Sequence, residues 1–152
     1  YVSIDLSGKL GWQENTLTYQ DTSAHIIEVL SQKASNSYKA MLQKLNISYI
    51  IAGKDQLDYE QLLDKLYRKF QIKTLMLGGG GVLNWSFIQA GLCDELSIVI
   101  APAADGSATA PTLFETKAGL TQNNPIGFKL KNVDVLTHGG IWLRYEINHN
   151  KK

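Results

Sequence analysis

Four consecutive glycines, Gly78, Gly79, Gly80 and Gly81, constrain this chain more than any other feature. They follow the apolar residues 74–77 and precede residues 82–90, which read as a helix stopped by Gly91. The arrangement is strand, turn, helix. A glycine in regular structure gives up roughly 0.5–1 kcal/mol relative to alanine, so a run of them needs a reason. Two reasons fit. Backbone N–H groups at a helix start, with no side chains in the way, can cradle a phosphate or another anion. Alternatively, a neighbouring segment packs closely against the turn. The run alone leaves both open.

The rest of the chain supplies the frame. Residues 1–6 read as a strand stopped at Ser7-Gly8, and the polar residues 11–23 as a loop. Residues 24–30 read as a second strand, and residues 35–45 as a helix with Tyr38, Met41, Leu42 and Leu45 at helical spacing, capped by Ser35 or Asn36. Residues 47–52 form a buried strand ending at Gly53. Residues 58–70 are the strongest helix, with Asp58 as its cap and Leu62, Leu63, Leu66, Tyr67 and Phe70 as its apolar stripe. Residues 74–77 read as a short strand, and residues 94–101 as another buried one, closed by Pro102. Residues 103–125 are small and polar and read as a long loop or lid. Residues 128–136 and 141–147 alternate, and His138-Gly139-Gly140 joins them as a hairpin. Helices between strands imply parallel crossovers, so the pattern predicts a mixed α/β sheet with helices on both faces and an antiparallel hairpin at the end.

Several chemistries are disfavoured. A formal charge of +1 gives no electrostatic case for nucleic acid or an anionic membrane. The single cysteine, Cys93, allows no internal disulfide and fits a reducing, cytoplasmic setting. His25, His138 and His149 are scattered without ligand spacing, so no metal site is expected. The dinucleotide pattern G-x-G-x-x-G ends on Leu83 or Asn84 rather than glycine, and no Gly-Lys-Ser/Thr occurs. There is no nucleophile elbow, and Cys93, beside a helix stop, reads as a small core residue. His25 reads as a structural histidine and His138 as a turn residue. Asp94 and Glu95 are adjacent on a strand and point to opposite faces, so they do not act as an acid/base pair, and one of them is expected to hydrogen-bond or salt-bridge locally. Chemistry carried by a cofactor, such as hydride transfer, remains.

The stretch Leu75-Met76-Leu77-Gly78-Gly79-Gly80-Gly81-Val82-Leu83-Asn84-Trp85-Ser86-Phe87-Ile88, continued by Gly91-Leu92-Cys93-Asp94-Glu95-Leu96 and Ile100-Ala101-Pro102, resembles the reductase domain of riboflavin biosynthesis. Gly106, the run Ala110-Pro111-Thr112-Leu113 and the opening Val2-Ser3-Ile4-Asp5-Leu6-Ser7-Gly8-Lys9-Leu10 fit the same family. The resemblance implies a dihydrofolate-reductase-like fold, a three-layer α/β sandwich with a mixed, mostly parallel central sheet and a C-terminal antiparallel hairpin. It implies NADPH as cofactor and hydride transfer to the ring-opened ribosyl carbon of an aminopyrimidine ribose phosphate. By resemblance, Gly79, Gly80, Gly81, Val82, Leu83 and Asn84 hold the cofactor's pyrophosphate and nearby ribose. Ser7 approaches its adenosine end, and Ala52 and Gly53 lie near the adenine edge. Ser7 and Lys9 are candidates for a 2′-phosphate. Gly78 stands where the family often carries a substrate-contacting Glu, and so is expected to face the substrate. No catalytic residue is assigned.

The family's domain has a further N-terminal portion without a counterpart here, and the chain opens in mid-strand without Met. Residues 1–152 are therefore expected to be a single reductase-like domain, the C-terminal part of a longer one. The resemblance also implies a homodimer, and the apolar faces of residues 141–147 agree with that. A reductase of another pterin or pyrimidine substrate, a non-catalytic nucleotide-binding module, and a ligand-free fold whose glycines serve packing are the alternatives.

Overall fold

A strand buried on both faces dictates what must surround it. In the computed structural model, which describes residues 1–147, that strand is Ile27–Leu30. The chain divides into two compact units, Tyr1–Leu75 and Met76–Lys152. His149 lies outside the described residues.

The first unit runs β1 (Val2–Ile4), β2 (Thr16–Tyr19), β3 (Thr22–His25), β4 (Ile27–Leu30), α1 (Asn36–Lys44), β5 (Ser48–Ile51) and α2 (Tyr59–Phe70). The order β1-β4-β5 is parallel throughout, with Ser3, Glu28 and Tyr49 in one cross-strand row. Every residue of β4 is buried, as a central parallel strand requires. Ile26, Leu30, Ala34, Leu42 and Ile47 form a core cluster, against which Trp12, Tyr38, Met41, Leu45 and Tyr49 pack. Helix α1 starts where expected: the Ser35 hydroxyl accepts the Tyr38 N–H at 3.1 Å. In α2, the Asp58 carboxylate accepts the Gln61 N–H at 2.9 Å, and Gln71 ends the helix in a left-handed conformation, φ 58°. Its buried stripe is narrower than expected. Leu62 and Leu66 are buried, whereas Tyr67 is 56% exposed.

Residues 11–23 are not simply a loop. They contain the antiparallel pair β2–β3, joined across Gln20 and Asp21, with Gln20 at φ 51°. Most of its side chains are exposed, so no apolar alternation marks it; Thr16, Thr18 and Thr22 are the β-favouring signal. The strand expected at 24–30 is accordingly divided, with exposed His25 ending β3 and β4 beginning at Ile27.

The second unit holds α3 (Gly81–Gln89), β6 (Glu95–Ile100), β7 (Phe128–Val135) and β8 (Ile141–Ile147). The order β6-β8-β7 is antiparallel. The expected hairpin is present, and His138 sits in its turn at φ 72°. Trp85, Ile88 and Ile147 form the core, with Cys93, Leu96, Phe114, Ile126 and Phe128 packed on it. Burial pushes the Cys93 thiol up, with the Asp94 carboxylate adding to it, and the side chain packs on the core as read.

Two strand expectations change here. Residues 74–77 pair with no strand among the described residues, and Met76 is 91% exposed; an apolar run becomes a strand only when a ladder partner accepts it. Strand β6 is mostly exposed rather than buried. One sheet face carries Glu95, Ser97, Trp142, Arg144 and Glu146. There Lys131 pairs with Glu95 at 2.5 Å, the Trp142 indole donates to Ser97 at 2.8 Å, and Arg144 stacks over Trp142 at 4.8 Å. Lys131 holds the Glu95 carboxyl below its ordinary value, which bears out a local ion-pair role.

The core of the first unit makes a direct prediction. Leu66→Ala, at a buried site, costs about 2–5 kcal/mol, whereas Asp58→Ala costs about 1 kcal/mol through the lost cap. Urea denaturation that ranks them in the reverse order would contradict this packing.

Candidate functional site

The two explanations of the glycine run can be separated residue by residue. None of Gly78, Gly79, Gly80 or Gly81 has a positive φ, so backbone conformation demands glycine at none of them. Packing does demand it at Gly81. A Cβ there would lie 2.7 Å from the Thr112 carbonyl oxygen and 3.1 Å from Glu115. The Glu115 N–H donates to the Gly81 carbonyl at 3.1 Å, which fixes the approach. A Cβ at Gly79 would clash with the Leu83 side chain, 2.4 Å from its Cδ2 and 2.9 Å from its Cβ, so Gly79 is also constrained, by the helix it leads into. At Gly78 and Gly80 a Cβ would meet nothing within 4 Å. Packing thus accounts for one end of the run. The open positions have the room that a close ligand approach needs.

Gly80 is also the N-cap of α3, in extended conformation (φ −69°, ψ 172°), and no side chain caps the helix. The N–H groups of a first turn have no intrahelical partner, and the helix end carries partial positive charge. Val82 and Leu83 lie in that turn, and they contribute backbone donors rather than side-chain chemistry. Among its buried residues α3 counts Trp85, Ser86, Phe87 and Ile88, so its position is fixed by core packing.

Residues 103–125, expected as a loop or lid, include a strap tied along α3. The Asn84 amide donates to the Leu113 carbonyl at 3.1 Å. The Trp85 indole donates to the Gln122 carbonyl at 2.9 Å. Gln89 and Gln122 exchange two further hydrogen bonds, and Phe114 lies 6.2 Å from the Trp85 ring. Asn84 therefore has its amide nitrogen committed to the strap, leaving its side-chain oxygen for other partners.

In the first unit, parallel pairing puts the carboxyl ends of β1, β4 and β5 at one sheet edge. Ligands of open α/β sheets bind at such edges. Ser7 is exposed there, in the loop that leaves β1. Asp5 shapes that loop. Its carboxylate accepts N–H groups from Gly8 at 3.1 Å, from Leu10 at 2.8 Å and from Lys9. Partial burial raises its pKa, but the backbone donors of Leu10, Lys9, Gly8 and Ser7 outweigh it and hold the carboxyl below its ordinary value. At the same edge, Ala52 is fully buried and gives its N–H to the Leu30 carbonyl. Gly53 is explained by its own geometry: φ is 102°, and a Cβ would lie 2.0 Å from the Gln56 carbonyl.

Two residues escaped the sequence reading. Asp5 had a usable signal, an acidic residue at a strand end three positions before a turn glycine. Glu28 had another, a lone carboxylate in the apolar run after His25; it is fully buried.

A family model, the RibD C-terminal domain, matches residues 4–141. The 2,5-diamino-6-ribosylamino-4(3H)-pyrimidinone 5′-phosphate reductase of Aquifex aeolicus is 31% identical over 109 residues, covering 72% of this chain and 48% of its own length. The protein of the same name from Methanothermobacter thermautotrophicus is 36% identical over 86 residues, covering 57% and 39%. The chain spans about half, or less, of the curated relatives it matches. A pyrimidine reductase-like protein from Corynebacterium diphtheriae superposes with a TM-score of 0.66 at 22% identity, over 82% of this chain and 51% of that one. RibD of Acinetobacter baumannii gives 0.70 at 23%, over 97% and 37%. These likenesses carry the fold, an α/β architecture with parallel, helix-connected strands and a C-terminal hairpin.

The division within the glycine run is testable by stability alone. Gly81→Ala forces the strap away from α3 and costs about 1–3 kcal/mol. Gly80→Ala enters open space and stays within about 1 kcal/mol of the parent. Equal thermal shifts for the two would contradict the assignment.

Proposed function

The chain belongs to the RibD C-terminal domain family, and from that premise we propose that it serves an NADPH-dependent reduction of the riboflavin-biosynthesis type. The observation that carries the reading is the pair of open glycines, Gly78 and Gly80, at an uncapped helix start inside the matched segment. A pyrophosphate needs N–H donors and the absence of Cβ atoms, and this turn has both. Gly79, Gly80, Gly81, Val82, Leu83 and Asn84 are the proposed contacts for the cofactor's pyrophosphate and ribose. Ser7, exposed in its own unit, is the proposed contact for the adenosine end, with Ser7 and Lys9 selecting a 2′-phosphate. When bound, NADPH supplies the hydride that converts a ring-opened ribosyl carbon to the ribityl product.

The substrate proposed is a pyrimidine ribose phosphate, by analogy with the named relatives. Gly78 is proposed to face it, offering space and a backbone N–H. The family match crosses both compact units, which supports treating residues 1–152 as one reductase-like domain. Among the described residues no helix is long and apolar enough to cross a membrane; the lone thiol of Cys93 favours the cytoplasm. One observation favours a second reading, a nucleotide-binding module without turnover. Gly78 brings no ionisable side chain to the turn.

Titration with NADPH and then NADH, followed by tryptophan emission with Trp85 as the reporter beside the glycine turn, tests the proposal. Saturable quenching that favours NADPH is expected, and Gly80→Leu weakens binding about tenfold or more while leaving the fold intact. Quenching that survives Gly80→Leu unchanged would remove the glycine turn from the site. Turnover of a pyrimidine ribose phosphate by the full gene product separates the reductase from the binding module.

A homodimer is proposed from the second unit. One face of its sheet stacks three apolar cross-strand rows: Leu96–Tyr145–Leu130, Ile98–Leu143–Val133 and Ile100–Ile141–Val135. Leu130, Val133 and Val135 are 52%, 49% and 80% exposed. Leu96 packs on the core, whereas the exposed rows through Val133 and Val135 can pair with a second copy about a two-fold axis. Sedimentation at tens of micromolar is expected to give a dimer that Val133→Lys dissociates; a monomeric parent would overturn it.

A further inference from the structure

Glu28 lies at the centre of β4 with no solvent exposure. Among the described residues no ion pair reaches it. An uncompensated carboxylate in such a place is costly, and an apolar side chain would fill the strand position more cheaply. Its partners show what it holds. One oxygen accepts the Trp12 indole N–H at 3.1 Å. The other stands 3.2 Å from the Tyr38 hydroxyl. Ser3 stands beside it in register on β1, with its hydroxyl favouring the ionised form.

Trp12 and Tyr38 both touch the loop that begins at Asp5. The Tyr38 hydroxyl reaches the Leu10 carbonyl at 3.0 Å. Its ring seats Gly8, where a Cβ would come within 2.5 Å of the ring edge and φ is +70°. Asp5 grips the backbone N–H groups of the same loop. Residues 5–12 are therefore held from two sides, by Asp5 from within and by Glu28 through Tyr38 and Trp12. We infer that Glu28 is a positioning residue: through Tyr38 and Trp12 it fixes the loop of residues 5–12, and with it Ser7, in the shape that receives the cofactor. The clause about the cofactor rests on the function proposed above; the clause about the loop does not.

Hydrogen-bond accounting says in which state Glu28 does this. The Tyr38 hydroxyl has one proton and three neighbouring acceptors, the Leu10 carbonyl, Glu28 and Asp5. Leu10 cannot donate. If Glu28 is ionised, three acceptors share the one Tyr38 proton. If Glu28 carries a proton, it donates to Tyr38, and only the Leu10 carbonyl and Asp5 are left to share it. The surroundings agree. Burial pushes the Glu28 carboxyl up and the Asp5 carboxylate adds to it, against the bonds from Trp12, Ser3 and Tyr38. The Tyr38 hydroxyl is itself pushed up by burial and by Glu28 and Asp5. Facing Glu28 are Ser3 from β1, Asp5 and Trp12 from the loop, Tyr38 from α1 and Tyr49 from β5.

Glu28→Gln, Glu28→Val and Tyr38→Phe, compared in the full chain, test this. Glutamine reproduces the neutral acid: its oxygen accepts from Trp12 and its NH₂ donates to Tyr38. Glu28→Gln is expected to keep amide-exchange protection of Gly8, Lys9 and Leu10 and to bind NADPH within about twofold of the parent. It also removes a protonated-carboxyl band from the infrared spectrum. Glu28→Val is expected to lower protection at those three amides about tenfold, with α2 unchanged, and to weaken NADPH binding about tenfold. Should that variant fail to fold, Tyr38→Phe keeps the ring against Gly8, removes only the hydroxyl, and is expected to lower the same protections. Because the folded state binds the Glu28 proton more tightly, parental stability falls relative to Glu28→Gln as pH rises above the ordinary glutamate range. Unchanged loop protection in both Glu28→Val and Tyr38→Phe overturns the inference. So does a glutamine variant that behaves like the valine one. A parent that binds no NADPH, with loop protection still lost in the variants, overturns the cofactor clause and supports the loop clause.

Discussion

The parallel ladder around β4 is the constraint from which the first unit follows. A strand buried on both faces needs a hydrogen-bonded neighbour on each edge and apolar cover above and below. Parallel neighbours need long connections, and these appear as α1 after β4 and as the excursion containing β2 and β3 before it. The same geometry gathers the loops leaving β1 and β5 at one edge. The loop that leaves β1 is thereby attached beside the fully buried strand of its unit. The buried carboxylate of Glu28 lies directly beneath that attachment.

The second unit solves a different problem. Helix α3 is too apolar to stand on a surface, so it is held by core packing on one side and by the strap on the other. The strap comes so close at Gly81 that a methyl group would not fit. This contact leaves the helix start rigid without a capping side chain. A helix start held on both sides, with open backbone next to it, keeps its unpaired first-turn N–H groups in fixed positions.

How much of this was legible depended on the kind of signal. Local chemistry could be read well. Ser35 and Asp58 announce their helices because a side-chain oxygen beside an apolar periodic run has one common use. Gly91 and His138 mark a helix stop and a turn for equally local reasons. Features set by distant partners were less visible. Residues 74–77 look like a strand by composition, but a strand exists only in its pairing. The hairpin of β2 and β3 was hidden because both its faces meet solvent. At the site, the sequence located the glycine turn but could not distribute its glycines between packing and openness. That division depends on Thr112 and Glu115, some thirty residues away.

The unequal roles within the glycine run also set how the turn can evolve. Gly81 is answerable to the strap and must persist as long as the fold does. Gly78 and Gly80 carry no such demand, since a Cβ at either would meet nothing within 4 Å. Packing thus tolerates side chains at these two positions before the helix and forbids them at its first residue, so sequence change in the turn is channelled away from the strap contact.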